Sequence, residues 1–274
     1  MNEKVLRSMI KEPSVSAVVL QETASTNDLL KSLANEGAPE GTLVLAEEQT
    51  AGRGRMGRSF YSPQGTGLYM SLLLRPEIYL KEALIITAMA AVAGAEAIDE
   101  LRKGKMPKCR IKWVNDLYLD GKKTAGILAE GALSSREPGK ASYVVLGIGF
   151  NITCPEQGFP GDLGQIAGGV LSAEEAREDM YARERLAAAF IDRFYVYYRS
   201  FCRKHDLGFM DRYRERSNLI GKTVILLDSA DHQPLPGDNE VTVEAIDDEA
   251  RLIVRKHDGT LQEIFSGEVS LKYQ

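Results

Sequence analysis

Cysteine, histidine and tryptophan are scarce in this chain of 274 residues: three, three and one. Cys109, Cys154 and Cys202 stand far apart and are odd in number. They suggest neither a disulfide framework nor a zinc spacing, so a reducing cytoplasm is expected. His205, His232 and His257 are scattered and lack metal-site spacing. The longest apolar run, Leu84 to Ala95, is too short to span a bilayer, and the first residues, Met1-Asn-Glu-Lys-Val-Leu-Arg7, hold no signal-peptide apolar region. No membrane role is expected. A net charge of −5 argues against broad nucleic-acid binding, which calls for a basic domain.

What remains is ordinary globular material, 44% hydrophobic and 27% charged, long enough for one large domain or a large one with a small companion. Against the acidic background one stretch stands out: Glu47-Glu-Gln-Thr-Ala-Gly-Arg-Gly-Arg-Met-Gly-Arg-Ser59. Arg53, Arg55 and Arg58 alternate with Gly52, Gly54 and Gly57. Glycine lets a backbone approach a ligand, and arginine offers planar forks of donors for carboxylate or phosphate. Guanidinium groups packed this way repel one another unless an anion sits among them, so the loop reads as an anion clamp that closes on its ligand. Gly52 to Gly57 also fits the dinucleotide pattern G-x-G-x-x-G. That pattern needs a helix directly after it, and Ser59-Phe-Tyr-Ser-Pro-Gln-Gly-Thr-Gly67 cannot supply one. A plain solvated basic loop is the other competing reading.

Along the chain, Val15 to Leu20 suggests an edge strand. Ser25, Thr26 and Asn27 are N-cap residues before Leu29, Leu30 and Leu33, with Gly37 as the stop. Their bland role is capping; spare polar groups at a helix start also suit a polar ligand. Thr42 to Ala46 and Gly67 to Leu74 read as strands, and Glu82 to Leu101 as a buried Ala-rich helix closed by Gly104. Asp120-Gly121 between apolar runs signals a two-residue hairpin. That turn makes Tyr118 face Lys123, pairs Asp116 with Ala125, and leaves Asp116 and Lys123 as diagonal neighbours. A surface ion pair of little worth and a phosphate or metal handle beside a catalytic cation both fit.

Tyr143 to Phe150 is an apolar strand with Gly147 and Gly149 on one face, a flat floor where a ligand can come close, and with Asn151 at its end. Residues 154–170 form a Gly/Pro-rich connection. Ser172-Ala-Glu-Glu175 is a capping box opening a helical region to about His205. The stripe Phe190, Phe194, Tyr197, Tyr198 and Phe201 reads as core, and a short helix spans about Phe209 to Arg216. Beyond Ser217 the texture changes. Thr223 to Leu227, Val241 to Ile246, Arg251 to Arg255 and Leu261 to Phe265 are short strands separated by turns such as Pro236-Gly237-Asp238. They suggest a small β-barrel and a domain boundary that divides 1–217 from 218–274.

Ser25-Thr-Asn27, Gln49 to Arg58, Lys112-Trp-Val-Asn-Asp116, Lys122-Lys-Thr-Ala-Gly-Ile-Leu128, Gly147-Ile-Gly-Phe-Asn151 and Phe265-Ser-Gly-Glu-Val-Ser-Leu271 resemble, in order and spacing, the motifs of bacterial biotin protein ligases. The resemblance covers about Ser25 to Lys272. It implies an α+β fold: a class II synthetase-like domain with a mixed or antiparallel sheet and helices, followed by a small C-terminal SH3-like β-barrel. It implies ATP-dependent formation of biotinyl-5'-AMP and transfer of biotin to a lysine of a biotin carboxyl carrier protein, such as that of acetyl-CoA carboxylase. With few residues before the first motif, a monofunctional ligase without a DNA-binding domain is expected, as monomer or homodimer.

By the same likeness Ser25, Thr26, Asn27 and Gln49 hold the ring and tail of biotin. Gly52, Arg53, Gly54 and Arg55 form the loop that closes over it, and Gly126, Gly147 and Gly149 line its place. Lys123 meets the biotin carboxylate and the α-phosphate, and acts with Arg55 as a catalytic cation. Arg58, Phe60, Lys112, Asn115, Asp116 and Asn151 fall where the family handles nucleotide, with Asp116 helping to hold Mg2+ through the phosphates. Val114 departs from the family's usual proline and Phe60 from its common tryptophan.

Overall fold

The computed structural model describes residues 1–228, 233–235, 239–265 and 268–271. His232, the expected turn Pro236-Gly237-Asp238, and Ser266, Gly267 and Lys272 of the C-terminal motif lie outside the described residues.

A short helix that the sequence did not signal, α1 (Glu3–Met9), precedes the edge strand β1 (Ser16–Thr23). Helix α2 (Thr26–Asn35) starts at Ser25, whose side chain accepts from the Asp28 amide, and Gly37 ends it at a φ of 92°. Then follow β2 (Thr42–Gln49), β3 (Gly67–Leu74), α3 (Ala83–Leu101), β4 (Arg110–Lys112), β5 (Asp116–Leu119), β6 (Lys122–Leu133) and β7 (Ala141–Asn151). The expected helix after Ser172 has its capping box but breaks into α5 (Ala173–Glu178) and α6 (Ala182–Lys204), following a one-turn α4 (Leu163–Ile166). Helix α7 (Phe209–Arg216) leads to β8 (Thr223–Leu227), β9 (Glu240–Ile246), β10 (Leu252–Arg255), β11 (Leu261–Ile264) and β12 (Glu268–Leu271).

Strands β1 to β7 form one mixed sheet in the order β1-β2-β3-β7-β6-β5-β4, parallel only between β1 and β2. Strands β8 to β12 form a separate antiparallel sheet in the order β11-β10-β9-β8-β12. The chain is therefore α+β, as expected.

Each face of the large sheet has its own packing. On one face α3 and α6 bury Ile86, Met89, Phe190 and Phe194 against Leu72, Ile148 and Phe150. The aromatic stripe is core, with Phe190 and Phe194 near zero exposure. On the other face α2 sets Leu30 and Ala34 on Val44, Leu73 and Val145. Further along the same strands the side chains run out: Gly147 and Gly149 follow Val145 at period two and leave that half of the face open. The small sheet docks where Trp113 Nε1 donates to the Ala250 carbonyl (2.7 Å) and Arg214 Nε to that of Ile246 (2.7 Å). Among the described residues no helix is long and apolar enough to cross a membrane.

The hairpin at Asp120-Gly121 forms with both residues at positive φ, 50° and 72°. Tyr118 pairs with Lys123 as expected, but Asp116 pairs with Gly126 and not with Ala125. A register shift between Leu117 and Tyr118 inserts the extra residue, which an alternating pattern does not reveal.

Candidate active site

A cavity of about 610 Å³ opens over the glycine half of the large sheet. Gly126 on β6 and Gly147 and Gly149 on β7 line it, with Gly126 directly opposite Gly149. The absent side chains are filled by neighbours. A Cβ on Gly147 would lie 2.0 Å from Asn27 Oδ1, and one on Gly149 would lie 2.5 Å from the Phe60 ring.

The start of α2 forms one end. Gln49 Oε1 accepts from the Thr26 amide (2.9 Å) and hydroxyl (3.0 Å), while its Nε2 donates to Ser62 Oγ (2.9 Å). Asn27 is buried; its Nδ2 donates to Glu130 Oε2 (2.9 Å), and its Oδ1 accepts from Ser71 Oγ (2.6 Å). Ser25 alone caps the helix, while Thr26 and Asn27 are its first two residues; all three line the cavity.

The arginine loop forms a second side. No helix follows its glycines; a single 3-10 turn covers Arg55–Gly57, with Met56 left-handed at a φ of 55°. The Gly54 amide donates to Arg58 O (2.7 Å) and the Phe60 amide to Gly52 O (2.8 Å), which closes the loop into a small hairpin. Arg53 pairs with Asp28 and, at 3.1 Å, with Glu130. The hydrogen bond that Arg53 donates to Asp28, ahead of the Glu130 charge, holds the guanidinium pKa above its ordinary value.

Arg55 Nη1 donates to Asn115 Oδ1 (3.0 Å), and Asn115 Nδ2 is tied to the Ile127 carbonyl (2.8 Å). Next to it Asp116 Oδ1 lies 2.7 Å from Lys123 Nζ. Behind this wall Tyr213 is fully buried and donates to the Val114 carbonyl (3.1 Å); burial pushes its hydroxyl pKa up.

All the expected site residues line this cavity except Gly52. Gly52 lies at the base of the loop, where a Cβ would come 2.4 Å from Phe60 O and 2.7 Å from Ser62 Oγ. The absence of a helix after the glycines is at odds with the dinucleotide pattern, and the loop lines a cavity where a plain solvated loop would not.

Residues missed from the sequence are Ser71, Glu130, Trp113 and the apolar group Phe159, Leu163, Ile166 and Leu227. Glu130 was within reach, because Gly126, Leu128 and Glu130 share a face at period two. Ser71 was visible only as a hydroxyl in an apolar strand; its pairing with Gly147 is non-local. Among the described lining residues five are basic (Arg53, Arg55, Arg58, Lys112, Lys123) and one, Asp116, is acidic. No group of three metal-ligating side chains occurs among the described residues.

Residues 19–151 match the Biotin/lipoate A/B protein ligase family, and residues 219–272 match the Biotin protein ligase C terminal domain. Fold and matched segments together define the class, that of the biotin and lipoate ligases. The bifunctional ligase/repressor BirA of Bacillus subtilis (strain 168) is 44% identical over 144 residues, which are 53% of this chain and 42% of that protein. The chain thus spans less than half the length of that relative. The "Biotin--[acetyl-CoA-carboxylase] ligase" of Mycobacterium tuberculosis is 31% identical over 239 residues, 85% of this chain and 81% of that one. Among solved structures, the biotin protein ligase from Aquifex aeolicus in complex with biotin and ATP is similar with a TM-score of 0.72 and 25% identity, over 94% of this chain and 99% of that. The chain belongs to the biotin protein ligase family.

Proposed function

We propose that the chain joins biotin to the AMP part of ATP and passes the biotinyl group to a lysine of a carrier domain of acetyl-CoA carboxylase or a related carboxylase, in the cytoplasm. The observation that carries this reading is the lining of the cavity, five cations to one carboxylate in a protein of net charge −5. The first step brings one anion onto another, and such a lining is what cancels their repulsion. Residues 1–217 form the catalytic unit, and 218–274 the small β-barrel unit.

Ser25, Thr26, Asn27 and Gln49 take the ring end of biotin, on the floor of Gly126, Gly147 and Gly149. Arg53, Gly54 and Arg55 fold over it. Arg58, Phe60, Lys112, Asn115, Asp116 and Asn151 take the nucleotide. A biotin carboxylate oxygen attacks the α-phosphorus and pyrophosphate leaves. Lys123 and Arg55, already held on adjacent residues of one wall, oppose the charge that gathers on the non-bridging oxygens. The carrier lysine amine then attacks the acyl carbon of the mixed anhydride and AMP leaves. No nucleophilic side chain of the protein is needed.

A single carboxylate among the lining residues does not make a protein-built metal site. It fits Mg2+ carried in by the phosphates, since that ion keeps several waters and binds through one or two carboxylates plus phosphate. Asp116 is the residue that would hold it, and when bound it would neutralise the leaving pyrophosphate.

Exchange of labelled pyrophosphate into ATP tests the reading. Exchange is expected with biotin and not with lipoate. No exchange with biotin, or equal exchange with both acids, overturns it.

A further inference from the structure

Four charged side chains join the arginine loop to the ring end of the cavity, and none of the roles above uses three of them. Glu130 on β6 accepts from Asn27 Nδ2 (2.9 Å), and it pairs with Lys31 Nζ (2.6 Å) and Arg53 Nη2 (3.1 Å). Asp28 pairs with the same Arg53 and lies 3.5 Å from Lys31. Two carboxylates and two cations thus form one ion-pair cluster, which meets Asn27 through Glu130.

The orientation of the Asn27 amide follows from this. A side-chain amide presents a carbonyl on one side and an NH2 on the other, and its neighbours decide which way it points. The Glu130 carboxylate faces only donors, Lys31 Nζ and Arg53 Nη2 besides Asn27, and so accepts; the Leu128 carbonyl, 3.4 Å from Nδ2, can only accept. Both demand the NH2. The Asn27 carbonyl oxygen is therefore turned to Ser71 Oγ and over Gly147, on the cavity floor. There it offers an acceptor to a donor such as the ring N–H of a cyclic urea.

We propose that Glu130 is a positioning residue that fixes the Asn27 carbonyl toward the ligand and anchors Arg53, so that loop and ring pocket are set by one carboxylate. The proposal rests on the function proposed above. It assigns Glu130 no contact with the reacting atoms.

Pyrophosphate exchange with varied biotin and varied ATP tests it. Glu130→Gln keeps the shape but removes the charge, and the new side-chain amide no longer fixes which way Asn27 points. The KM for biotin is expected to rise about 10–100-fold, the scale of one hydrogen bond to a charged group, with the KM for ATP within about twofold of wild type. Glu130→Asp is expected to recover part of the loss. Asn27→Asp sets two carboxylates face to face and is expected to raise the biotin KM as well. Adding Glu130→Gln to Asn27→Asp restores a donor–acceptor pair and is expected to lower it again. An unchanged biotin KM in Glu130→Gln overturns the proposal. So does a parallel rise of both KM values with a lowered melting temperature, or no recovery in the double variant. If the wild-type protein shows no biotin-dependent exchange, the function itself fails and this inference with it.

Discussion

Lys123 Nζ and Asp116 Oδ1 lie 2.7 Å apart on the two arms of one hairpin, and Arg55 reaches the residue immediately before Asp116. Two cations proposed to act together are thus held by two consecutive residues, Asn115 and Asp116. Both side chains of the ion pair keep some solvent contact, and Asn115 is a neutral partner for Arg55, so an incoming anion can reach both cations. The cations are positioned before that anion arrives.

Replacing the lysine tests that pre-positioning. Lys123→Ala is expected to slow adenylation by about 2.7–4 kcal/mol of transition-state stabilisation, the scale for one lost oxyanion partner. Asp116 would also be left beside the phosphates without its counter-charge. A pyrophosphate burst measured by rapid quench is expected to fall about 100–1000-fold; an unchanged burst removes Lys123 from the chemistry.

The loop predicts a protection experiment. Arg53 and Arg58 are attack points for trypsin on a short hairpin held by backbone hydrogen bonds from Gly54 to Arg58, Arg58 to Arg55 and Phe60 to Gly52. With biotin and ATP bound, the guanidinium groups gain anionic partners and the segment is pinned on both faces. Cleavage at 53–58 is expected to slow at least several-fold with both ligands; equal rates with and without them contradict a closing loop.

How much of this was legible in the sequence follows from how local each signal is. The Asp120-Gly121 turn, the Ser25 cap and the paired glycines of β7 depend on a few adjacent residues, and all appear where expected. The Asp116 register was missed because a bulge changes the pairing without changing the pattern. Ser71 and Glu130 were missed because strands far apart in sequence bring them to Asn27, by β3–β7 and β6–β7 pairing. Gly52 shares the motif of its neighbours yet lies beneath the loop, since spacing records identity and not the side of the backbone that faces the cavity.

The glycine floor gives a graded prediction. In Gly147→Ala the new methyl would sit 2.0 Å from Asn27 Oδ1, and Asn27 is buried and bonded on both sides. It cannot move without leaving one buried polar group unpaired, a cost of about 1–3 kcal/mol. Biotin affinity by calorimetry is expected to fall about tenfold or more. Gly126→Ala meets only the Phe60 ring at 3.3 Å and the Lys123 side chain at 3.4 Å, both of which can give way, so a smaller loss is expected. Equal losses at the two positions would mean that Asn27 is not the obstacle.

Cys109 has no solvent exposure; burial, with the Asp99 carboxylate adding to it, pushes its thiol from 9.0 up to about 12. Its amide donates to Asp99 (2.9 Å), and Arg216 pairs with Asp99 (2.8 Å) while donating to the Cys109 carbonyl (2.9 Å), so the site is closed on all sides. A folded pKa above the unfolded one gives stability that is complete below pH 9 and drains away as pH rises toward 12. The unfolded chain releases the thiol proton first. One such group loses about 1.4 kcal/mol per pH unit in that window. Cys109→Ala leaves a small void and is expected to be about 1 kcal/mol less stable than wild type at pH 8. By pH 10.5 the wild-type protein has lost about 2 kcal/mol at this one site, and the order of the two proteins is expected to close or invert. Tyr69, pushed by burial to about 12, is common to both proteins and cancels in the difference. Urea unfolding at pH 8 and pH 10.5 measures that difference, and parallel pH profiles for the two proteins would show that Cys109 ionises as readily in the folded chain as in the unfolded one.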